Sequence, residues 1–446
     1  MEQHFESLYP SNSRQREIGK ILTCIKSGNF SQIISLTGAE MSNLLRLFAY
    51  NKKVRIKHLG DKEKSFHFVM CSFAEISNKP IASCLKFLLL SLMDSLEERR
   101  LTQEQRIIEE MVKKTEGSDD ELIIFHELKR AIEYITLERD IFVVFLFDKF
   151  EDYIPMLNRE FFAYLRILRN NAKYKFSVVF GLERPLENLA DPSIISDIFE
   201  FIADHKTYLA IYDKAGTNFR IPYIEEAMGK KLDKKIHEKI LELTGGHGKL
   251  TRICTETLLE TDDKTITSSD IKEILFKQKS VQSALSEIWN SLTPAEQNIL
   301  ASGKLAPVGQ LEDDNITFLT NIEILKTGKI TIKLLEDFIK VKSAEKTEKI
   351  IFDPATKDIK KGEIKISDYL THAEYEALKF LVLNHDRVID REEIINAVWK
   401  ESKSTAGVTD EALDQLIFRL RHKIEKDPNN PKRLLTVKGR GFRFTP

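Results

Sequence analysis

Cysteine is scarce in this chain of 446 residues: Cys24, Cys71, Cys84 and Cys254 lie far apart, with no C-x-x-C pair. That spacing disfavours a zinc cluster or a disulfide framework and fits a reducing compartment. Long apolar runs are also missing. The longest, IFVVFLF at 141–147, is far too short to cross a bilayer. The opening MEQHFESLYP is acidic and has no apolar core of a signal peptide, so the expected setting is cytoplasmic, away from membranes. There is no excess of one charge: the formal net charge is −1, so any basic surface has to be local. No repeat or low-complexity tract occurs. A further absence is more specific. GAEMSNLLR, residues 38–46, follows an apolar run where a phosphate-binding loop would stand, yet the lysine and most glycines of G-x-x-x-x-G-K-[ST] are not there.

The length predicts roughly two to four domains. In the first half, five apolar runs read as strands: 31–37, 66–73, 141–148, 176–182 and 207–213. Near-continuous apolar strands suit a sheet buried on both faces. Helical stretches separate them, which predicts a parallel α/β sheet. From about residue 215 the strand signal fades into helices, one of them ended by Gly245 and Gly246. A new unit begins near 284. There Thr293, Pro294 and Glu296 make a capping box, and two short β segments flank Lys-Thr-Gly-Lys. The charged KVKSAEKTEK lacks core residues and reads as a linker.

Residues 350–446 are the most legible part. Short strands precede two capping boxes, Thr371 with Glu374 and Asp390 with Glu393. A third helix follows, with Leu413, Leu416, Ile417, Leu420 and Ile424 spaced to form one apolar face. Its other face carries Glu411, Gln415, Phe418, Arg419 and His422. The chain closes on two β segments about Gly-Arg-Gly. The last 28 residues hold nine basic and two acidic side chains, a net charge of +7 that suits phosphate neutralisation.

Four words in order, LTHAEYEAL, VIDREEIINAVW, ALDQLIFRLRHKIE and LLTVKGRGFRF, resemble the OmpR/PhoB-type winged-helix DNA-binding domain of bacterial response regulators. The resemblance covers roughly the last fifth of the chain. It implies that the helix at 409–426 enters the major groove and that the wing at 436–444 touches the adjacent minor groove. On the helix it assigns Gln415, Phe418, Arg419, Arg421 and His422 to DNA, and on the wing Thr436, Lys438, Arg440 and Arg443. Gln suits adenine and Arg suits guanine. Gly439 and Gly441 allow a tight wing. Asp410, Glu411 and Asp414 suit the helix dipole but repel any phosphate they face. Phe418 either meets a thymine methyl or packs on another domain.

The first 283 residues resemble a STAND/AAA-type P-loop NTPase in architecture more than in motifs. VVFLFDKFEDY is similar to a Walker B strand, FSVVFGLERPL to the sensor-1 strand, and GGHGKLTRICTETLL to the lid helix that follows such cores. On this alignment Gly38 and Ser42 would meet nucleotide, Ser42 and Asp148 would hold Mg²⁺, Asp148 and Glu151 would be the catalytic acids, and Arg184 would sense phosphate. Met41 replaces the lysine and Glu40 the glycine before it, so a carboxylate would sit beside phosphate oxygens, an unfavourable contact at low dielectric. Asp148 and Glu151 read equally well as acids that end a buried strand and face solvent.

The expected architecture is multidomain, α/β plus α. Residues 1–214 form a degenerate P-loop NTPase-like sheet and 215–283 a helical lid. Residues 284–340 form a small winged-helix-like unit, 341–349 a linker and 350–446 the winged helix. The expected function is a transcriptional regulator that binds double-stranded DNA. Its first region would act as a sensor or a self-association scaffold with little or no nucleotide turnover. The alternative is an active STAND-type switch ATPase that uses ATP and Mg²⁺.

Overall fold

Five parallel strands build a sheet covered on both faces. They are β1 (Ser31–Ile34), β2 (Phe66–Ser72), β3 (Phe142–Asp148), β4 (Phe176–Leu182) and β5 (Lys206–Tyr208). Their order is β2-β3-β4-β1-β5. The computed structural model describes residues 4–261, 270–303, 314–362, 364–385, 387–399, 410–425 and 427–446. Period-two alternation splits the apolar runs between two cores. Val143, Phe145 and Phe147 join Phe176, Val178 and Phe180 under the helices Ile81–Glu98, Glu121–Glu133 and Arg159–Asn171. Val144, Leu146, Val179 and Ile33 face the other way, under Gln15–Lys26 and Met41–Tyr50. Both faces are therefore dry, as the composition of the strands requires. All five expected strands are present, the first and last of them shorter, because the ladder closes with the Ser35 and Leu209 N–H groups and the chain then turns into loops.

The strand order decides where chemistry can occur. β1 lies between β4 and β5, so the chain reverses its direction of travel across the sheet there. Ile34 is level with Leu182, and Phe147 with Phe180. The loops after β1, β3 and β4 consequently converge at one edge, the usual place for a ligand in an open parallel sheet. The first unit is thus an open, doubly wound parallel α/β sheet, as expected. The segment expected to act as a lid, and called the lid below, follows in the helices Lys214–Met228, Lys234–Thr244 and Gly248–Glu260. Gly245 and Gly246, with φ of 60° and 77°, end the second of these as expected. Beyond them the Thr293–Glu296 capping box is formed, and β6 (Leu325–Lys326) pairs with β7 (Lys329–Ile330) about Thr327-Gly328.

The chain divides into two compact units, Met1–Asp337 and Phe338–Pro446. The helix Lys333–Glu348 runs through this boundary. The segment 341–349, expected as a linker, is helical through Glu348; Lys, Glu and Ala favour helix.

The second unit has its own core. β8 (Ile350–Asp353), β9 (Asp358–Lys361) and β10 (Ile364–Lys365) form an antiparallel sheet. The helices His372–Leu383, Arg391–Val398 and Asp410–Ile424 follow. β11 (Val388–Ile389), β12 (Leu434–Val437) and β13 (Gly441–Phe444) make the second sheet, in the order β11-β13-β12. Both expected capping boxes are formed. Positions 409 and 426 of the expected third helix lie outside the described residues.

Candidate functional site

The loop after β1 turns at Gly38, φ 73°, and at Glu40, φ 72°, before the helix Met41–Tyr50 begins. A left-handed non-glycine residue costs roughly 1–2 kcal/mol, so something must hold Glu40 there. The convergence of loops leaves a cleft of about 620 Å³ lined by Ser42, Asp148, Glu151, Glu183, Arg220 and Lys249 among others. Ser42 Oγ donates to Asp148 Oδ1 at 2.8 Å. Burial pushes the Asp148 carboxyl up, against the opposing pull of the Ser42 bond. Burial pushes Glu151 up to about 7 and also raises Glu183. Gly38, Ser42, Asp148 and Glu151 are thus brought to one place.

Arg184 is not brought there. Its guanidinium grips both carboxylate oxygens of Glu296, at 2.5 and 2.6 Å, and donates to Ser291 O at 3.0 Å. It also lies 3.9 Å over the Phe318 ring. The expected phosphate sensor is instead the clamp between the sheet and the segment that follows the lid. The place of Arg184, two residues after β4, was legible; the direction of the side chain was not.

The loop itself faces the lid. Thr37 O accepts from His247 Nε2 at 2.8 Å, Gly38 O from the Lys249 backbone N–H at 3.1 Å, and Ala39 O from Arg14 Nη2 at 3.3 Å. Burial pushes His247 down to about 4, so its ring is neutral at pH 7. Nε2 carries the proton, because Nδ1 accepts from the Leu250 N–H as the cap of the lid helix. Glu40 pairs with Arg220 of the lid. Gly38 and Gly248 permit this closeness: a Cβ on the first would come within 2.9 Å of the His247 ring, and one on the second would strike the Glu40 carboxylate. The Met41 side chain turns to the sheet, against Gly181.

These residues do not fit a triphosphate. A working loop offers successive N–H groups and an ammonium. This one offers a carboxylate, and three consecutive carbonyls are already bonded. Ser42 and Asp148 would suit Mg²⁺ chemically, yet among the described residues no group of three or more His, Cys, Asp or Glu is arranged to hold a metal ion. Sequence reasoning missed Arg14, Arg220 and His247. Only His247 stood in a noticed motif, GGHGK.

In the second unit, Leu413, Leu416, Ile417, Leu420 and Ile424 are buried, as their spacing predicts. Gln415, Phe418, Arg419 and His422 are exposed together on the opposite face. The Phe418 and His422 rings lie 4.2 Å apart, and Phe418 is 59% exposed. Arg419 stays half free, its Nε 3.7 Å from Glu374. Arg421 differs from expectation: it donates to Leu434 O and to Thr436 Oγ1, both at 2.8 Å, tying the helix to β12. Arg421 and Thr436 therefore occupy each other. Lys438, Arg440 and Arg443 are exposed on the wing. Gly439 has φ 71°, and Gly441 has no room for a Cβ because Ile389 O stands against it. The acids that threatened to repel phosphate have a partner: Arg391 bonds Asp410 at 2.7 Å and Asp414 at 2.9 Å.

This second unit is a winged helix-turn-helix. Residues 368–444 match the family described as "Transcriptional regulatory protein, C terminal". Relatives include the sensory transduction protein RegX3 of Mycobacterium leprae (strain TN), 36% identical over 94 residues, which are 20% of this chain and 46% of that one. Protein PetR of Rhodobacter capsulatus is 34% identical over 98 residues, 21% of this chain and 41% of that one. The chain spans less than half the length of these relatives. Among solved structures, the Walker-type ATPase PABY2304 of Pyrococcus abyssi superposes with a TM-score of 0.47 at 12% identity, covering 76% of this chain and 98% of that one. The Aeropyrum pernix ORC1 protein in complex with DNA gives 0.39 at 11% identity, covering 87% and 92%. Among the described residues no helix is long and apolar enough to cross a membrane.

Proposed function

We propose that the chain is a cytoplasmic transcriptional regulator. The helix Asp410–Ile424 lies in the major groove of double-stranded DNA, and the wing at 436–444 meets the adjacent backbone and minor groove. The single observation that carries this is the shared exposed face of Gln415, Phe418, Arg419 and His422 beside the cationic wing of Lys438, Arg440 and Arg443. Wing cations supply affinity, and Gln415 and Arg419 read bases. Arg421 and Thr436 act by fixing the helix to the hairpin. The first unit is a sensor or a self-association scaffold that turns over little or no nucleotide.

The test is selection of bound DNA with the full chain, followed by salt titration. Arg440→Ala lowers affinity evenly across sequences and reduces the slope of log affinity on log salt by about 0.9. Gln415→Ala alters preference at one base pair, by about 1–3 kcal/mol. No binding in dilute buffer would sink the proposal. The second reading, a switch ATPase, is favoured by the Ser42–Asp148 hydrogen bond; MgATP turnover that vanishes in Asp148→Asn would establish it.

A further inference from the structure

We propose that this chain carries its own anion at the phosphate position: the Glu40 carboxylate, gripped by Arg220, holds loop and lid closed with no nucleotide present. The inference rests on the reading of the first unit as a sensor or scaffold, and it names what keeps that unit in one state.

Several observations converge on it. Glu40 is the residue just before the helix Met41–Tyr50, so its side chain starts from the positive end of the helix, the kind of place where an anion is favoured, although it makes no capping bond and turns to the lid. Its partner comes from another element: Arg220 lies in the lid helix Lys214–Met228. Arg220 is itself fixed from behind, Nε donating to the Tyr9 hydroxyl at 2.9 Å. Around this pair, the loop is tied to the lid by His247 on Thr37 O and by the Lys249 N–H on Gly38 O. Arg14 spans Ala39 O and Ala210 O, at 3.3 and 2.5 Å, and so joins the loop to the approach of the lid. The Glu40 and Arg220 side chains are each only 15% exposed. At Gly248 the lid has no Cβ, which leaves the space the carboxylate occupies.

In a nucleotide switch, a lid closes because a cation on it finds the phosphates. Here the cation finds a carboxylate that is covalently part of the loop and never leaves. Its effective concentration is fixed by the chain, so a free anion has to compete with an intramolecular partner. It must also enter a cleft already lined by Asp148, Glu151 and Glu183. The positive φ at Glu40 is the local strain that the closed arrangement holds in place.

The test is hydrogen exchange on the full chain over residues 36–46 and 214–252, with and without MgATP, in the natural protein and in Glu40→Gln and Arg220→Gln. The natural protein is expected to be protected in both segments without nucleotide, and unchanged by MgATP. Each variant is expected to exchange there at least about tenfold faster. Unchanged exchange in either variant overturns the proposal. So does further protection of the natural protein by MgATP, since nucleotide would then be doing the closing. Should Arg220→Gln fail to fold, Arg220→Lys keeps the charge and is expected to retain more protection than Glu40→Gln; the reverse order overturns the proposal. The two readings fail separately: loss of DNA binding sinks the regulator and leaves the exchange result standing, whereas MgATP protection sinks the built-in anion and leaves DNA binding standing.

Discussion

Glu151 shows how a single carboxyl carries information about its site. It follows β3 by three residues, and its Oε2 is buried with no hydrogen-bond partner among the described residues. Burial dominates the rise of its carboxyl from 4.5 to about 7, and the nearby acids Glu183, Asp152 and Asp148 add to it. The folded chain therefore holds this proton more tightly than the unfolded chain does. The stability it lends is fully present below about pH 4.5 and is lost as pH rises through about 7. Glu151→Gln is expected to flatten that loss and to raise stability at mildly alkaline pH by roughly 1–3 kcal/mol. Urea unfolding at several pH values measures it; an unchanged pH slope would show that Glu151 is solvated. Arg421 makes the complementary point. It was legible as basic and C-terminal on the helix Asp410–Ile424, but whether it faced outward or β12 depended on the hairpin folding back over it.

At the scale of the element, local grammar was the most legible. The capping boxes at Thr293, Thr371 and Asp390 need only a side chain and an N–H three residues away, so sequence spacing determines them. Thr371→Ala is expected to cost about 1 kcal/mol, read as a lower unfolding midpoint of the second unit. A change within error would mean that Glu374, which also bonds Lys423 at 2.6 Å, caps the helix alone. The stretch at 341–349 shows the limit of the same grammar. Its charged composition argued against a core element, yet it does not argue against a helix. The buried face of the helix Asp410–Ile424 was recoverable because its five apolar residues share one neighbour, the core beneath.

Across the whole molecule, placement turns on ion pairs between distant segments. Arg184 and Glu296 are separated by 112 residues. Their side chains are only 16% and 2% exposed. Removing one partner leaves a buried charge uncompensated. Arg184→Ala is accordingly expected to lower the stability of the first unit by roughly 3–5 kcal/mol, measured by urea unfolding. A loss under about 1 kcal/mol would mean that the pair behaves as a surface one. Similar long-range pairing explains why Arg14, Arg220 and Arg391 escaped notice in the sequence: an isolated arginine has no local mark of its distant partner.

The sequence alone determined the two kinds of unit, the parallel sheet, the winged helix with its buried face and the missing phosphate-loop lysine. Each of these depends on periodicity, capping or residue identity, which act over a few neighbouring positions. Tertiary structure alone decided which charges meet. It turned Arg184 and Arg421 inward to structural duty, left Gln415 and the wing cations outward, and set Glu40 against the lid. Such pairings join segments far apart along the chain, and only the strand order and the packing of helices on the sheet bring them within bonding distance.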